Sequence, residues 1–231
     1  MIVLVHSGIC DARMWDGFEL PGAARHELRG FGQTPMPPAG RFSHAEDLIA
    51  TLREPSALVG ASFGGNVCLE VASRRPDLVA DLVLLDAPLF DHDWSEEIRE
   101  FARREENLLE EGELHAAAIL NADLWLEDMS HRDRVIEMQE NAFELQSESE
   151  AEEIQTDSID LGLVQARTLV AVGELDKLDF HHISERLARD IPDARRVVVE
   201  GAGHLPALEK PAETARLVRE FLVESEDLGP A

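Results

Sequence analysis

The sequence predicts an α/β fold built on a mostly parallel sheet flanked by helices, and three observations predict it. Short apolar runs recur at 2–5, 57–59, 81–86, 168–173 and 195–200, as expected of strands covered on both faces. Segments of helical spacing alternate with them, and there are no internal repeats or Gly/Ser linkers. At 56–75 an apolar strand passes through a glycine-rich turn into a helix that stops before Pro76.

Composition narrows the class. A chain of 231 residues with 44% hydrophobic content can bury one substantial core plus an insertion. The formal net charge of −26 argues against a nucleic-acid partner and against docking on anionic membranes. No apolar run is long enough to span a bilayer. The N-terminus is apolar from Ile2 without a basic flank or a small-residue cleavage site, so it reads as a strand and the expected location is cytoplasmic. Cys10 and Cys68 make neither a disulfide framework nor a metal spacing and read as buried small hydrophobes.

Taken in order, Ile2–Val5 forms a central strand leading into His6-Ser7-Gly8-Ile9 and then Trp15. Residues 23–35 read as a short strand entering a Gly-rich loop, with prolines 35, 37 and 38 marking an irregular connection. Ser43, followed three residues later by Glu46, is a capping box that starts a helix over 43–53 with Leu48, Ile49 and Leu52 inward. The strand at 57–59 and the helix that ends before Pro76 follow, then the strand 81–86. From 91 to 160 the chain is dense in Asp and Glu and helical in spacing, with helices expected over 95–111, 113–126 and 132–146. This insertion is longer than a usual crossover, so residues 90–161 read as a helical cap on a core formed by 1–89 and 162–231. Strands at 168–173 and 195–200, a helix over 182–190 and a final amphipathic helix over 212–223 complete the core, ahead of a loose acidic tail.

The turn at 60–64 reads Gly-Ala-Ser-Phe-Gly, a G-x-S-x-G pattern between strand and helix. Ser62 must occupy a strained turn to lift its hydroxyl clear of the sheet, and glycines on either side let strand and helix pass close by. Asp176 and His204 also lie just past strand ends, so Ser62, Asp176 and His204 converge on one edge of a parallel sheet. The chemistry divides the labour: Ser62 as nucleophile, His204 as general base, Asp176 as the acid that holds the imidazole tautomer. Backbone N–H groups of Phe63 and Gly8 are placed to form an oxyanion hole. Asp179 and Asp86 are rival acids. His181-His182 and Asp91-His92-Asp93 lack metal-ligand spacing, so no metal and no cofactor are expected.

These residues, with Arg29-Gly30-Phe31-Gly32, Gly173-Glu174-Leu175-Asp176 and Gly203-His204-Leu205-Pro206, stand in an order that resembles the α/β-hydrolase fold, specifically its capped Ser-nucleophile esterases and lactonases. The resemblance extends over nearly the whole chain and implies a catalytic triad, a nucleophile elbow, a cap domain and, because the chain starts at a central strand without the two edge strands many members carry first, a sheet of about six strands. It departs where the family has His-Gly and this chain has His6-Ser7. Counting from Trp15 places Gly8 at the oxyanion position, with Ile9 as the rival. Ser62 sets the chain apart from haloalkane dehalogenases and epoxide hydrolases of this fold, which use Asp. The expected activity is hydrolysis of a small carboxylic ester or lactone through an acyl-enzyme on Ser62. The alternatives are C–C bond hydrolysis, acyl transfer, or a hydrolase-like small-molecule receptor. Candidate pocket walls are Ile9, Trp94, Trp125, Met129, Phe143 and Leu205. The expected partner is a small-molecule substrate; monomer and homodimer both remain open.

Overall fold

A computed structural model describes residues 1–154, 156 and 158–228. Its main sheet has six parallel strands: β1 (Ile2–Val5), β2 (Ala23–His26), β4 (Ser56–Ala61), β5 (Val79–Leu85), β7 (Arg167–Gly173) and β8 (Ala194–Val199). They lie in the order β2-β1-β4-β5-β7-β8. The order reverses at β1, so the loops leaving β1 and β4 straddle the switch point where open α/β sheets bind ligands.

The burial pattern explains the apolar runs. Every residue of β4 is buried, whereas the edge strands β2 and β8 are partly exposed. Side chains alternate between two cores. Leu4, Val59, Val83 and Leu169 face one, closed by Trp15 and by Val218 and Phe221 of α8 (Pro211–Leu228). Val3, Val5, Leu58, Leu82 and Val170 face the other, closed by α1 (His44–Thr51), α2 (Phe63–Arg74) and α6 (Leu178–Asp190) through Leu48, Leu69 and Leu187. Cys10 and Cys68 are buried free thiols, pushed up by burial away from reactivity.

Between β5 and β7 run three helices, α3 (Glu96–Glu110), α4 (Leu114–Trp125) and α5 (Arg132–Ser147), within a residue or two of their expected spans. Ser95 caps α3 by accepting Ile98 N–H. At α1 only half of the capping box forms: Ser43 Oγ accepts Glu46 N–H, while the Glu46 carboxylate pairs with Arg74.

Three expectations need correction. A second, two-stranded parallel sheet joins β3 (Ala39–Phe42) to β6 (Glu150–Glu153), tying the end of the three-helix segment to the loop before α1. α6 starts at Leu178, four residues early, so Asp179 and Phe180 are helical. Helix α8 (with the four-residue α7, Pro206–Glu209, before it) continues through the first part of the acidic tail to Leu228, and residues 229–231 lie outside the described residues. Among the described residues no helix is long and apolar enough to cross a membrane.

Candidate active site

The turn between β4 and α2 holds Ser62 at φ 48°, ψ −121°, a conformation L-residues rarely adopt. Its N–H is fixed by Leu85 O at 2.7 Å. The flanking glycines are required sterically. A Cβ on Gly60 would lie 2.4 Å from Gly64 O, and one on Gly64 would lie 2.3 Å from His6 O. The compressed elbow lifts Ser62 off the sheet and leaves Phe63 as the first residue of α2, its N–H aimed past the helix end.

The loops after β7 and β8 bring two more side chains to it. His204 Nε2 lies 2.8 Å from Ser62 Oγ, and His204 Nδ1 lies 2.9 Å from Asp176 Oδ2. Those loops touch: a Cβ on Gly173 would come within 1.9 Å of Gly203 O. Asp176 Oδ1 accepts Lys177 N–H at 2.7 Å. Burial opposes the Asp176 charge, but the His204 interaction, the Asp86 contact and the Lys177 N–H outweigh it and hold this carboxyl below its ordinary range.

Of the rival acids, Asp179 turns away. Its Oδ1 accepts Ser95 N–H at 2.8 Å and meets His92 at 3.3 Å, joining α6 to the start of α3. Asp86 lies beside Asp176, and Gly173 N–H donates to its Oδ1 at 2.8 Å.

Glu209 is a buckle for the His204 loop. Its Oε2 accepts Gly203 N–H at 2.6 Å, and its Oε1 accepts Glu127 N–H at 2.9 Å, beyond the end of α4. The imidazole is roofed by aromatic rings: Trp125 of α4 at 4.5 Å and Phe180 of α6 at 4.3 Å between centroids. Phe180 was not singled out in the sequence because residues 178–181 read as loop.

On the other side of Ser62, His6 is a strut. Its Nδ1 is 2.8 Å from Ser7 O and its Nε2 accepts Leu28 N–H at 3.0 Å, which assigns the Nδ1–H tautomer. Burial holds its pKa below the ordinary histidine value. Between Gly8 and Ile9, the Ile9 N–H is turned toward Ser7 Oγ at 3.4 Å, while Gly8 N–H has no hydrogen bond among the described residues. Gly8 packs against Phe63: a Cβ at Gly8 would lie 3.2 Å from Phe63 Cβ. Gln139 of α5 lies over this loop; with its amide turned so that the nitrogen faces the loop, it donates to Gly8 O at 3.1 Å and Ile9 O at 3.2 Å.

A cavity of about 480 Å³ opens over Ser62 and His204. Ile9, Trp94, Trp125 and Phe143 line it. Two expected walls do not. Met129 sits in the short turn between α4 and α5 and is 50% exposed, and Leu205 is 0% exposed because it points into the sheet core. In their place α3 presents a stripe of Ile98, Phe101, Ala102, Glu105 and Leu109, spaced at helical repeat. Glu105 is the charged member; Asn121 Nδ2 donates to it, and burial pushes its carboxyl up, the Asn121 bond offsetting part of that.

The chain has recognisable relatives. The chain is 26% identical to a 2-hydroxymuconate semialdehyde hydrolase from Pseudomonas putida, over 87% of this chain and 77% of that protein. Among solved structures, a thermophilic esterase from Thermogutta terrifontis (malate bound) superposes with a TM-score of 0.76 at 26% identity, covering 96% of this chain and 89% of that one. The enol-lactonase from Burkholderia xenovorans LB400 shares the fold with a TM-score of 0.76 at 20% identity, covering 96% and 90%. The model of the alpha/beta hydrolase family matches residues 2–217, and this chain, with its six-stranded parallel sheet and its serine elbow at the switch point, belongs to that family.

Proposed function

We propose that the protein hydrolyses a small, neutral carboxylic ester or lactone through an acyl-enzyme on Ser62. The observation that carries this reading is the relay Ser62 Oγ–His204 Nε2 at 2.8 Å and His204 Nδ1–Asp176 Oδ2 at 2.9 Å, set on a strained elbow.

With Nδ1–H donated to the Asp176 carboxylate, the Nε2 lone pair faces the serine hydroxyl. Ser62 passes its proton to Nε2 as Oγ bonds to the substrate carbonyl carbon. The carbonyl oxygen becomes an oxyanion, for which the Phe63 and Gly8 N–H groups are the available donors. Collapse breaks the ester C–O bond, and His204 returns the proton to the departing alkoxide. A water then gives its proton to His204, attacks the acyl carbon and releases Ser62 with its proton restored. Asp176 remains a carboxylate throughout.

The chamber supports the neutral substrate class. Its walls are aromatic and aliphatic, its charged side chain is Glu105, and no Arg or Lys lines it among the described residues. The Pseudomonas putida relative favours C–C bond hydrolysis as a second reading. A carboxylate-bearing muconate would meet the Glu105 carboxyl without a cation to receive it, so the ester or lactone reading is preferred. Intact-mass labelling with a fluorophosphonate tests the mechanism. A single adduct on the wild type and none on Ser62→Ala is expected; an unlabelled wild type would overturn the activated serine.

A further inference from the structure

Ser62 and Asp86 are the two non-glycine residues with positive φ among the described residues, and both end central strands of the sheet, β4 and β5. Strain of this kind persists only where the surroundings over-determine it. At Ser62 the reason is the elbow. Asp86 has φ 49°, is 2% exposed, and plays no part in the relay as written.

Its surroundings give the reason. The Asp86 backbone N–H donates to Ala171 O at 2.9 Å, and its Oδ1 accepts Gly173 N–H at 2.8 Å, which clamps the carboxyl against the loop carrying Asp176. Its other oxygen, Oδ2, is buried and receives no hydrogen bond. An oxygen of Asp86, an oxygen of Asp176 and a ring nitrogen of His204 all lie within 4.8 Å of one another. Two carboxylates cannot both stay charged at this separation in a dry site. A proton held between them would remove that clash, and the donors around each carboxyl decide which one carries it. Asp176 is met by both His204 Nδ1 and Lys177 N–H, so it keeps the charge; Asp86 has one N–H and one bare oxygen.

We propose that Asp86 is a neutral carboxylic acid in the resting enzyme, donating its Oδ2 proton to the Asp176 carboxylate and so acting as a positioning residue that moderates the basicity of His204. The inference rests on the triad reading above. It satisfies the bare oxygen, removes the like-charge clash, and explains why a strained residue at this strand end carries a carboxyl. Burial first, and then the Asp176 charge, push the Asp86 carboxyl well above its ordinary range, with Glu209 of α7 adding to the effect. His204 is the remaining titratable group at the cluster, and the nearby Lys177 spends its ammonium on Glu97 at 2.9 Å. A donated hydrogen bond draws charge density from Asp176, so the imidazolium formed in each step is held less tightly and gives its proton back more readily.

The test is the pH dependence of kcat/KM on p-nitrophenyl butyrate for the wild type, Asp86→Asn and Asp86→Gly. Asn and Gly both tolerate positive φ, so neither substitution forces the strand end. Asn keeps a neutral donor: kcat/KM should fall about three-fold and the acid limb should stay within about 0.3 pH unit of the wild type. Gly removes the donor and leaves Asp176 its full charge, so the acid limb should move up by about half a unit or more. If Asp86 were a carboxylate, Asn would remove a negative charge beside the imidazolium and the acid limb would move down by about a unit; that outcome overturns the proposal. An unmoved limb in Asp86→Gly overturns the positioning role. The infrared carbonyl band of a protonated carboxyl, present in the wild type at neutral pH and missing in Asp86→Asn, is a readout that needs no turnover. Its absence from the wild type overturns the neutral acid even if the fluorophosphonate still labels Ser62, so the two readings fail separately.

Discussion

At the carboxyl edge of the sheet the polar atoms are committed to one another. His204 uses both ring nitrogens, Asp176 both oxygens and Glu209 both oxygens, and all three are buried. The chamber above, walled by α3, α4 and α5, is different. It presents mostly hydrocarbon to the cavity, with Glu105 and Asn121 paired to each other and Gln146 donating to Gly30 O at 3.2 Å. Under the proposed mechanism the edge sets the chemistry, and the volume and charge of the chamber set the class of substrate. Substitutions at the edge should therefore act on kcat, and substitutions in the chamber on which ester is preferred.

The sharpest break is at Ser62. Ser62→Ala should lower kcat by about four orders of magnitude or more while leaving the melting temperature nearly unchanged, because the hydroxyl is the proposed nucleophile and carries no cap hydrogen bond. Retained esterase activity in a purified, folded variant would remove the nucleophile from this account.

Glu209 tests whether the edge depends on its buckle. Its carboxylate accepts N–H groups from Gly203, Glu127 and Asp128, so Glu209→Ala frees the His204 loop and strands buried donors. We expect kcat to fall about a hundred-fold with KM little changed, since misplacing the base by about 1 Å is that costly, together with a lower melting temperature. Glu209→Gln, which retains one acceptor, should recover part of both. A variant that loses stability and keeps kcat would show that the loop holds its geometry without the buckle.

In the chamber the expected effect is smaller and of another kind. Glu105→Gln should raise kcat/KM about ten-fold, equivalent to about 1.4 kcal/mol, for a p-nitrophenyl ester bearing a terminal carboxylate, relative to its neutral counterpart. An unchanged ratio would mean that Glu105 does not sense the substrate's charge.

The same contrast decides what could be read from the sequence. Strands buried on both faces announce themselves as apolar runs, so β1, β4, β5 and β7 are legible. The elbow is legible because strand, glycines and helix must coincide there. Strands β3 and β6 are not. Ala-Gly-Arg-Phe and Glu-Ala-Glu-Glu carry no apolar alternation, because this small sheet is largely exposed and held by its backbone. Asp176 and Asp179 are indistinguishable by composition; what separates them is that α6 begins at Leu178 and turns Asp179 toward Ser95. Large apolar residues in the three-helix segment mark wall candidates without their direction, so Trp125 and Met129 read alike. The stripe on α3 had the spacing of a wall, and Glu105 within it was the one signal of polarity that helical periodicity could have supplied.

The last test separates the edge from the seam beside it. His44, at the start of α1, is 4% exposed, packs edge-on against Phe63 at 5.4 Å, and its Nδ1 has no hydrogen-bond partner among the described residues. Burial depresses its pKa to about 4. In the unfolded chain this imidazole takes up a proton as pH falls through its ordinary value of about 6.5; in the fold it stays neutral until about 4. The unfolded state thus binds more protons across that window, and stability falls as pH falls through it, by about 2 kcal/mol between pH 7 and pH 5. His44→Gln removes the difference. Its urea-unfolding free energy should drop by about 2 kcal/mol less than the wild type's over the same interval, while the acid limb of kcat/KM stays in place. If the two proteins lose stability equally on acidification, His44 is not the group that charges on unfolding. If the acid limb moves with His44, the seam and the edge are electrostatically one region, and the distinction drawn between them fails at that point.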